Sequence, residues 1–146
     1  MDRRSFIKSS CTTCVAGIGM AWMLEACTSH KYISNYSITS NKIAIKKSEF
    51  IVEKKGETQQ QKFILIKPES LQFPIALYQI KDNEYKAMYL QCTHQGCELT
   101  AYETMMVCAC HGSEFNKNGD VTQGPADQSL RTFITTQDND NIYIQL

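Results

Sequence analysis

The sequence predicts a small all-β fold of stacked antiparallel sheets, on three observations. Short runs rich in β-branched and aromatic residues recur beyond about Asn41, turn-forming residues separate them, and no long segment carries the 3.6-residue period of an amphipathic helix. The candidate strands, in order, are Glu49–Glu53, Lys62–Lys67, Ile75–Lys81, Tyr85–Gln91, Leu99–Tyr102, Met105–Cys108, Leu130–Thr135 and Asn141–Gln145. Gly56, Pro68, Asp82-Asn83, Asn118-Gly119, Gly124-Pro125 and Asp138–Asn141 punctuate them at positions suited to turns. Met105, Met106, Phe133 and Ile134 read as core side chains, Gln59-Gln60-Gln61 as a solvated hairpin tip, and Lys46-Lys47 and Lys54-Lys55 as exposed.

Composition narrows the function before any motif is considered. The chain has 146 residues, 15 Lys+Arg against 15 Asp+Glu, 42% hydrophobic and 21% charged residues, enough for one domain and a small appendage. Without net charge or a basic stripe it lacks the electrostatic footprint of a nucleic-acid binder. Its apolar runs also fall short of the roughly 18–20 residues of a spanning helix, which excludes a multi-span membrane protein. Seven Cys and three His are the anomaly. Cys11, Cys14 and Cys27 lie early, whereas Cys92, Cys97, Cys108 and Cys110 crowd together late, where the chemistry is expected.

Residues 1–26 read as an export signal. Arg3-Arg4-Ser5-Phe6-Ile7-Lys8 precedes an apolar run from Cys11 to Leu24, and the order resembles the twin-arginine signal of proteins that fold around a cofactor before export. Leu24-Glu25-Ala26-Cys27 resembles a lipoprotein cleavage box that makes Cys27 the acylated first residue of the mature chain, although Glu25 fits the box poorly. A retained N-terminal anchor is the alternative, but the fourteen residues from Cys11 to Leu24 make only about 21 Å of helix against a hydrocarbon core of about 30 Å. Residues 27–41, polar with scattered aromatics, read as a tether or first edge strand, and residues 42–146 as the folded domain. The expected location is the periplasmic or cell-surface side of a membrane, held there by a lipid or an N-terminal anchor. His30, next to Cys27, reads as a solvated linker residue.

Two loops carry the candidate ligands. Cys92-Thr93-His94-Gln95-Gly96-Cys97 follows one candidate strand and Cys108-Ala109-Cys110-His111-Gly112-Ser113 follows another. Cys-x-His in the first and Cys-x-x-His in the second supply two thiolates and two imidazoles, with a further cysteine in each loop. A structural Cys2His2 zinc site is one reading of this set. It leaves Cys97 and Cys110 unexplained, and neither Cys-x2-Cys nor the His-x3–5-His of zinc modules is present.

These boxes, with Phe115-Asn116 and Gly119 after them and the turn Gly124-Pro125-Ala126 before Leu130, resemble the Rieske [2Fe–2S] proteins of the high-potential, disulfide-containing type. The resemblance implies a Rieske-type fold with two cluster-binding loops and one [2Fe–2S] cluster per chain. Cys92 and Cys108 would bind one iron, His94 and His111 the other, and Cys97 and Cys110 would form a disulfide, as an oxidising compartment permits. Ser113 stands where the family's serine donates a hydrogen bond to a cluster sulfur. Neutral imidazoles in place of two thiolates remove negative charge, so Rieske centres as a class lie at roughly −150 to +300 mV against about −400 mV for plant-type ferredoxins. Ligated imidazoles can also carry a proton on the other ring nitrogen, which couples electron uptake to protonation at His94 or His111.

Three positions depart from the respiratory pattern: Phe115 replaces a sulfur-binding tyrosine, Gln95 an apolar residue that docks against a cytochrome b, and Ala109 a proline. Gly96 and Gly112 suit either close backbone approach to the sulfides or a plain turn. The resemblance implies a relay of single electrons from a quinol or cytochrome b-type donor to a cytochrome c-type acceptor, an electron-transfer subunit with no catalysis of its own. Alternatives are the small Rieske subunit of a periplasmic molybdenum oxidoreductase of the arsenite-oxidase kind and the ferredoxin component of an oxygenase. The ferredoxins fit less well, being cytosolic and without the disulfide pair.

Overall fold

The computed structural model describes residues 32–54 and 56–146; the export-signal and Cys27 readings lie outside them. The strands are β1 (Tyr36–Thr39), β2 (Lys42–Lys46), β3 (Ile51–Lys54), β4 (Glu57–Gln60), β5 (Phe63–Ile66), β6 (Ile75–Lys81) and β7 (Glu84–Tyr89), then β8 (Thr100–Ala101), β9 (Met105–Val107), β10 (Glu114–Asn116), β11 (Val121–Gln123), β12 (Thr132–Gln137) and β13 (Asn141–Gln145). A short 3-10 helix, Lys47–Phe50, joins β2 to β3. All the strand pairs are antiparallel. They form a seven-stranded sheet in the order β1-β2-β13-β12-β7-β6-β5, a four-stranded sheet in the order β11-β10-β9-β8, and the β3-β4 hairpin. The expected all-β fold of antiparallel sheets is therefore what the chain adopts.

The large sheet curls within β12. Thr132 and Phe133 pair with Met88 and Ala87 of β7, whereas Ile134 through Gln137 pair with β13. On one half, β2 and β13 alternate as a one-sided sheet requires, burying Ile43, Ile45, Ile142 and Ile144 and turning the intervening residues outward. On the other half, β5 is buried at all four positions, and β6 at its first four, because both faces are covered. Phe63, Leu65, Ala76, Tyr78 and Met88 belong to the core under the cysteine loops, together with Met106, Phe115 and Leu130. The alternate residues Ile64, Ile66, Ile75, Leu77 and Ala87 belong to a second core with Ile43, Ile45, Phe133 and Ile144. Strands β5 to β7 are thus a wall shared by two cores, and a one-residue register slip would exchange every contact on both sides.

The structure differs from the sequence reading in several places. The expected strand Glu49–Glu53 begins as the 3-10 helix and becomes strand only at Ile51. Gln59 and Gln60 lie within β4, and the turn of that hairpin falls at Gly56, whose φ of +82° only glycine adopts without strain. Ile134 is 72% exposed rather than core, because Phe133 takes the inward position and successive strand residues face opposite ways. Within the stretch read as tether or edge strand, Ile33 is buried, Tyr32 bridges Leu65 and β1 pairs with β2, so the folded unit already includes residues from Tyr32 on. Strands β2, β4, β10 and β11 were not among the expected strands.

Candidate metal centre

The small sheet presents its two loops from one end, and the loops share a backbone design. In the first, the Cys92 N–H donates to the Cys97 carbonyl at 2.8 Å and the Cys92 carbonyl accepts from the Gly96 N–H at 2.9 Å. In the second, the Cys108 N–H donates to the Ser113 carbonyl and the Cys108 carbonyl accepts from Gly112, both at 2.9 Å. Gly96 and Gly112 have φ of +74° and +77°, and this left-handed turn, which a side chain would strain, is reason enough for glycine at both.

Each turn begins at a cysteine and carries a histidine, two residues on in the first loop (His94) and three in the second (His111). Cys92 and Cys108 carry free thiols and are 2% and 1% exposed. His94 and His111 are exposed, with ring centroids 5.1 Å apart and planes at 85°. Cys97 and Cys110 form a disulfide with Cα atoms 6.6 Å apart, tying one loop to the other. The sulfurs of Cys97, Cys108 and Cys110 lie within 4.8 Å of one another, but two of them are spent on the disulfide, so this trio offers a metal only one thiolate. The donors that remain are two buried thiols and two exposed imidazoles.

A third segment braces both loops. Ser113 is the only fully buried polar residue among those described, and its hydroxyl oxygen accepts the Ala126 N–H at 3.0 Å, leaving the hydroxyl proton for another acceptor. Thr93 Oγ1 donates to the Gln128 carbonyl at 2.7 Å, and Gln123 Nε2 to the Gly112 carbonyl at 2.9 Å. The Gly124–Pro125 peptide between these contacts is cis. Beneath the loops Tyr78, fully buried, donates its hydroxyl to the Tyr102 carbonyl at 2.5 Å, and burial pushes its pKa up. Phe115 is fully buried in the same core, whereas Gln95 and Ala109 are exposed on the loops. No lysine or arginine occurs from Ala87 to Asn116, and Glu98 and Glu114 follow the two loops in sequence.

The family model for the Rieske [2Fe-2S] domain matches residues 46–134. The chain belongs to the Rieske family. Relatives of this Rieske protein include the cytochrome b6-f complex iron-sulfur subunit of Synechococcus sp. strain JA-3-3Ab, 41% identical over 70 residues, which are 44% of this chain and 41% of that one. The cytochrome b6-f complex iron-sulfur subunit 1 of Nostoc sp. strain PCC 7120 is 40% identical over 55 residues, 36% of this chain and 31% of its own. The matched part thus spans less than half the length of these curated relatives. Among solved structures, the cyanobacterial plasma membrane Rieske protein PetC3 from Synechocystis PCC 6803 is 27% identical, with a TM-score of 0.51 over 58% of this chain and 87% of that one.

The chain therefore carries a Rieske domain, whose cofactor is a [2Fe–2S] cluster. The donor set fits that group: two buried thiols and two exposed imidazoles remain after the disulfide forms, the mixed sulfur and nitrogen set of a Rieske centre. The disulfide is where the resemblance implied it. Thr93, Gln123 and the Gln128 carbonyl were missed by sequence reasoning, since each acts through one hydrogen bond to or from the backbone of a distant segment. The proline turn was the only available signal for them.

Proposed function

We propose that this Rieske protein is an extracytoplasmic, membrane-tethered relay that takes single electrons from a quinol-oxidising, cytochrome b-type donor and passes them to a c-type cytochrome. The observation that carries the reading is the matched pair of loops, each offering one buried thiol and one exposed imidazole. Cys92 and Cys108 would hold one iron through Sγ, and His94 and His111 the other through one ring nitrogen each. Both imidazoles are exposed, so they face whatever partner meets the loops. When bound, the cluster supplies a one-electron carrier of mild potential. Ser113, its oxygen fixed by the Ala126 N–H, would have its hydroxyl proton free for a cluster sulfur. Burial of the thiols keeps water from the sulfurs, and exposure of the imidazoles puts the electron's exit where a partner can touch it.

The cytochrome b6-f relatives support the choice of donor and acceptor. Residues 1–26 serve as the export signal, and Cys27 is the lipid attachment point, with the folded domain, which already includes Tyr32, carrying the cluster. One observation favours a second reading, as the small subunit of a periplasmic molybdenum oxidoreductase: exposed Gln95 puts an amide where a quinol-docking tip would be apolar. The test is a redox titration of the purified protein across pH, followed by EPR, with iron and acid-labile sulfide measured on the same sample. A mixed-ligand signal whose midpoint falls as pH rises is expected. A preparation without iron and sulfide would overturn the reading, and co-purification with a large molybdenum subunit rather than a cytochrome b would select the second one.

A further inference from the structure

Cys108 stands beside a disulfide that it does not belong to. Its thiol is free and 1% exposed, and its sulfur lies within 4.8 Å of both sulfurs of the Cys97–Cys110 bond. A free sulfur so close to a disulfide has the access that exchange requires, and the exposure of Cys110 supplies a leaving sulfur that water can reach. We propose that Cys108, whenever it is not bound to iron, attacks this disulfide, and that the cluster-free chain is thereby converted to an isomer that cannot accept the cluster. The second half of the proposal rests on Cys108 being an iron ligand; the exchange itself needs only the three sulfurs.

The step balances within the chain. The Cys108 Sγ forms a bond to Cys97 Sγ as its proton is given up. The Cys97–Cys110 bond breaks, both electrons leave on Cys110 Sγ, and the proton lost by Cys108 is balanced by the one that Cys110 Sγ takes up. One disulfide and one thiol are present before and after, so no oxidant is consumed. The surroundings decide which sulfur is attacked. Cys110 is exposed, so water stabilises it as the leaving thiolate, whereas Cys97 is half-buried and keeps the new bond with Cys108 inside. A Cys108–Cys110 bond would have to close a tight ring across Ala109 alone. The product carries a Cys97–Cys108 disulfide and a free, exposed Cys110. The cluster then protects the loops in two ways, by occupying Cys108 and by keeping the inter-loop disulfide in register, and insertion has to precede release into an environment where the disulfide has formed.

Two variants of the full chain separate exchange from mere loss of the cluster. Cys92→Ser and Cys108→Ser each remove one proposed thiolate ligand, yet only the first retains Cys108. Each is quenched with N-ethylmaleimide and digested after Glu98 and Glu103, which places Cys92 and Cys97 on one peptide and Cys108 and Cys110 on another, and the cross-links are read by fragment-ion mass spectrometry. In Cys92→Ser, maleimide on Cys110 with Cys97 linked to Cys108 is expected in at least half of the molecules. In Cys108→Ser and in the iron-loaded wild type, the Cys97–Cys110 link should persist with Cys110 unlabelled. A Cys92→Ser chain that keeps Cys97–Cys110 and takes label on Cys108 would overturn the proposal. Should that variant fail to fold, wild-type chain from iron-depleted cells gives the same readout. Iron analysis of the wild type tests the functional reading separately: no iron in the wild type, together with labelled Cys110 in Cys92→Ser, would remove that reading and leave the exchange standing.

Discussion

The curled base of the molecule and the lobe that carries the two loops share one wall, β5 to β7, but are held by different means. In the base, strands of four to six residues bury an unbroken set of isoleucines, leucine and phenylalanine, so the ladder and the apolar alternation enforce the same register. In the lobe, β8 to β11 are only two or three residues long. Such strands fix little by themselves, and the loops depend on a disulfide and on single hydrogen bonds from Thr93, Gln123 and Ala126. The difference separates stability, which belongs to the base and its wall, from ligand placement, which belongs to a cross-braced lobe that can loosen without the base unfolding.

Truncating the base core should have the largest effect. Leu77 is fully buried, so Leu77→Ala should cost about 3 kcal/mol, and a urea titration should show the cluster absorbance and the far-UV signal lost together at a lower midpoint. If the base held its midpoint, the assignment of stability to it would be wrong. Next comes the Cys97→Ser/Cys110→Ser pair. Chain entropy for a cross-link with sequence separation 13 is worth about 3 kcal/mol on the usual model, but here the loss should be local. Hydrogen exchange should accelerate at residues 92–112 and stay unchanged in β2, β12 and β13.

Ser113→Ala removes the acceptor of the buried Ala126 N–H and should cost about 1–3 kcal/mol, with a lower cluster midpoint potential. A purely structural role would leave the potential where it was. Phe115→Tyr adds a hydroxyl in the fully buried core at a cost of about 1 kcal/mol and should raise the midpoint; an unchanged or lower value in the assembled variant would show that no sulfur is within its reach.

The smallest effect is electrostatic and belongs to the base. In the β12–β13 turn, Tyr143 donates its hydroxyl to Asp138 Oδ2 at 2.6 Å and the Asn141 and Asp140 N–H groups donate to Oδ1. These bonds hold the Asp138 pKa down to about 2. Since the folded chain binds this proton less readily than the unfolded one, the contribution is complete above the ordinary carboxylate range and is lost as pH falls from about 4 toward 2. Asp138→Asn should flatten that part of the acid-denaturation curve and leave the cluster spectrum untouched.

The contrast between base and lobe also explains what could be read from the chain. Ile75–Lys81 and Asn141–Gln145 were legible to the residue, since each is a run of strand formers bounded by turn residues. The Lys-Ile-Ala-Ile-Lys run of β2 carries the alternation of a strand, yet it sits beside a polar stretch that reads as a tether. Strands β10 and β11, three residues each, are too short for any periodicity, and they exist because β9 offers Glu114–Asn116 a partner. The candidate ligands were legible because metal chemistry restricts which residues can serve and at what spacing. Their braces were not, since a threonine or glutamine that reaches a distant carbonyl looks like any other polar surface residue.

By itself, then, the sequence determined the fold class, the family and the residues that can meet a cluster, because local alternation and ligand chemistry are written in neighbouring positions. Tertiary structure alone decided that β5 to β7 separate two cores, that Ile134 faces water while Phe133 does not, and that the Cys108 sulfur comes to rest against the Cys97–Cys110 disulfide. Each of these depends on which segments meet across the fold, and the free energy of such contacts is fixed by the geometry of the assembled chain rather than by the order of its residues.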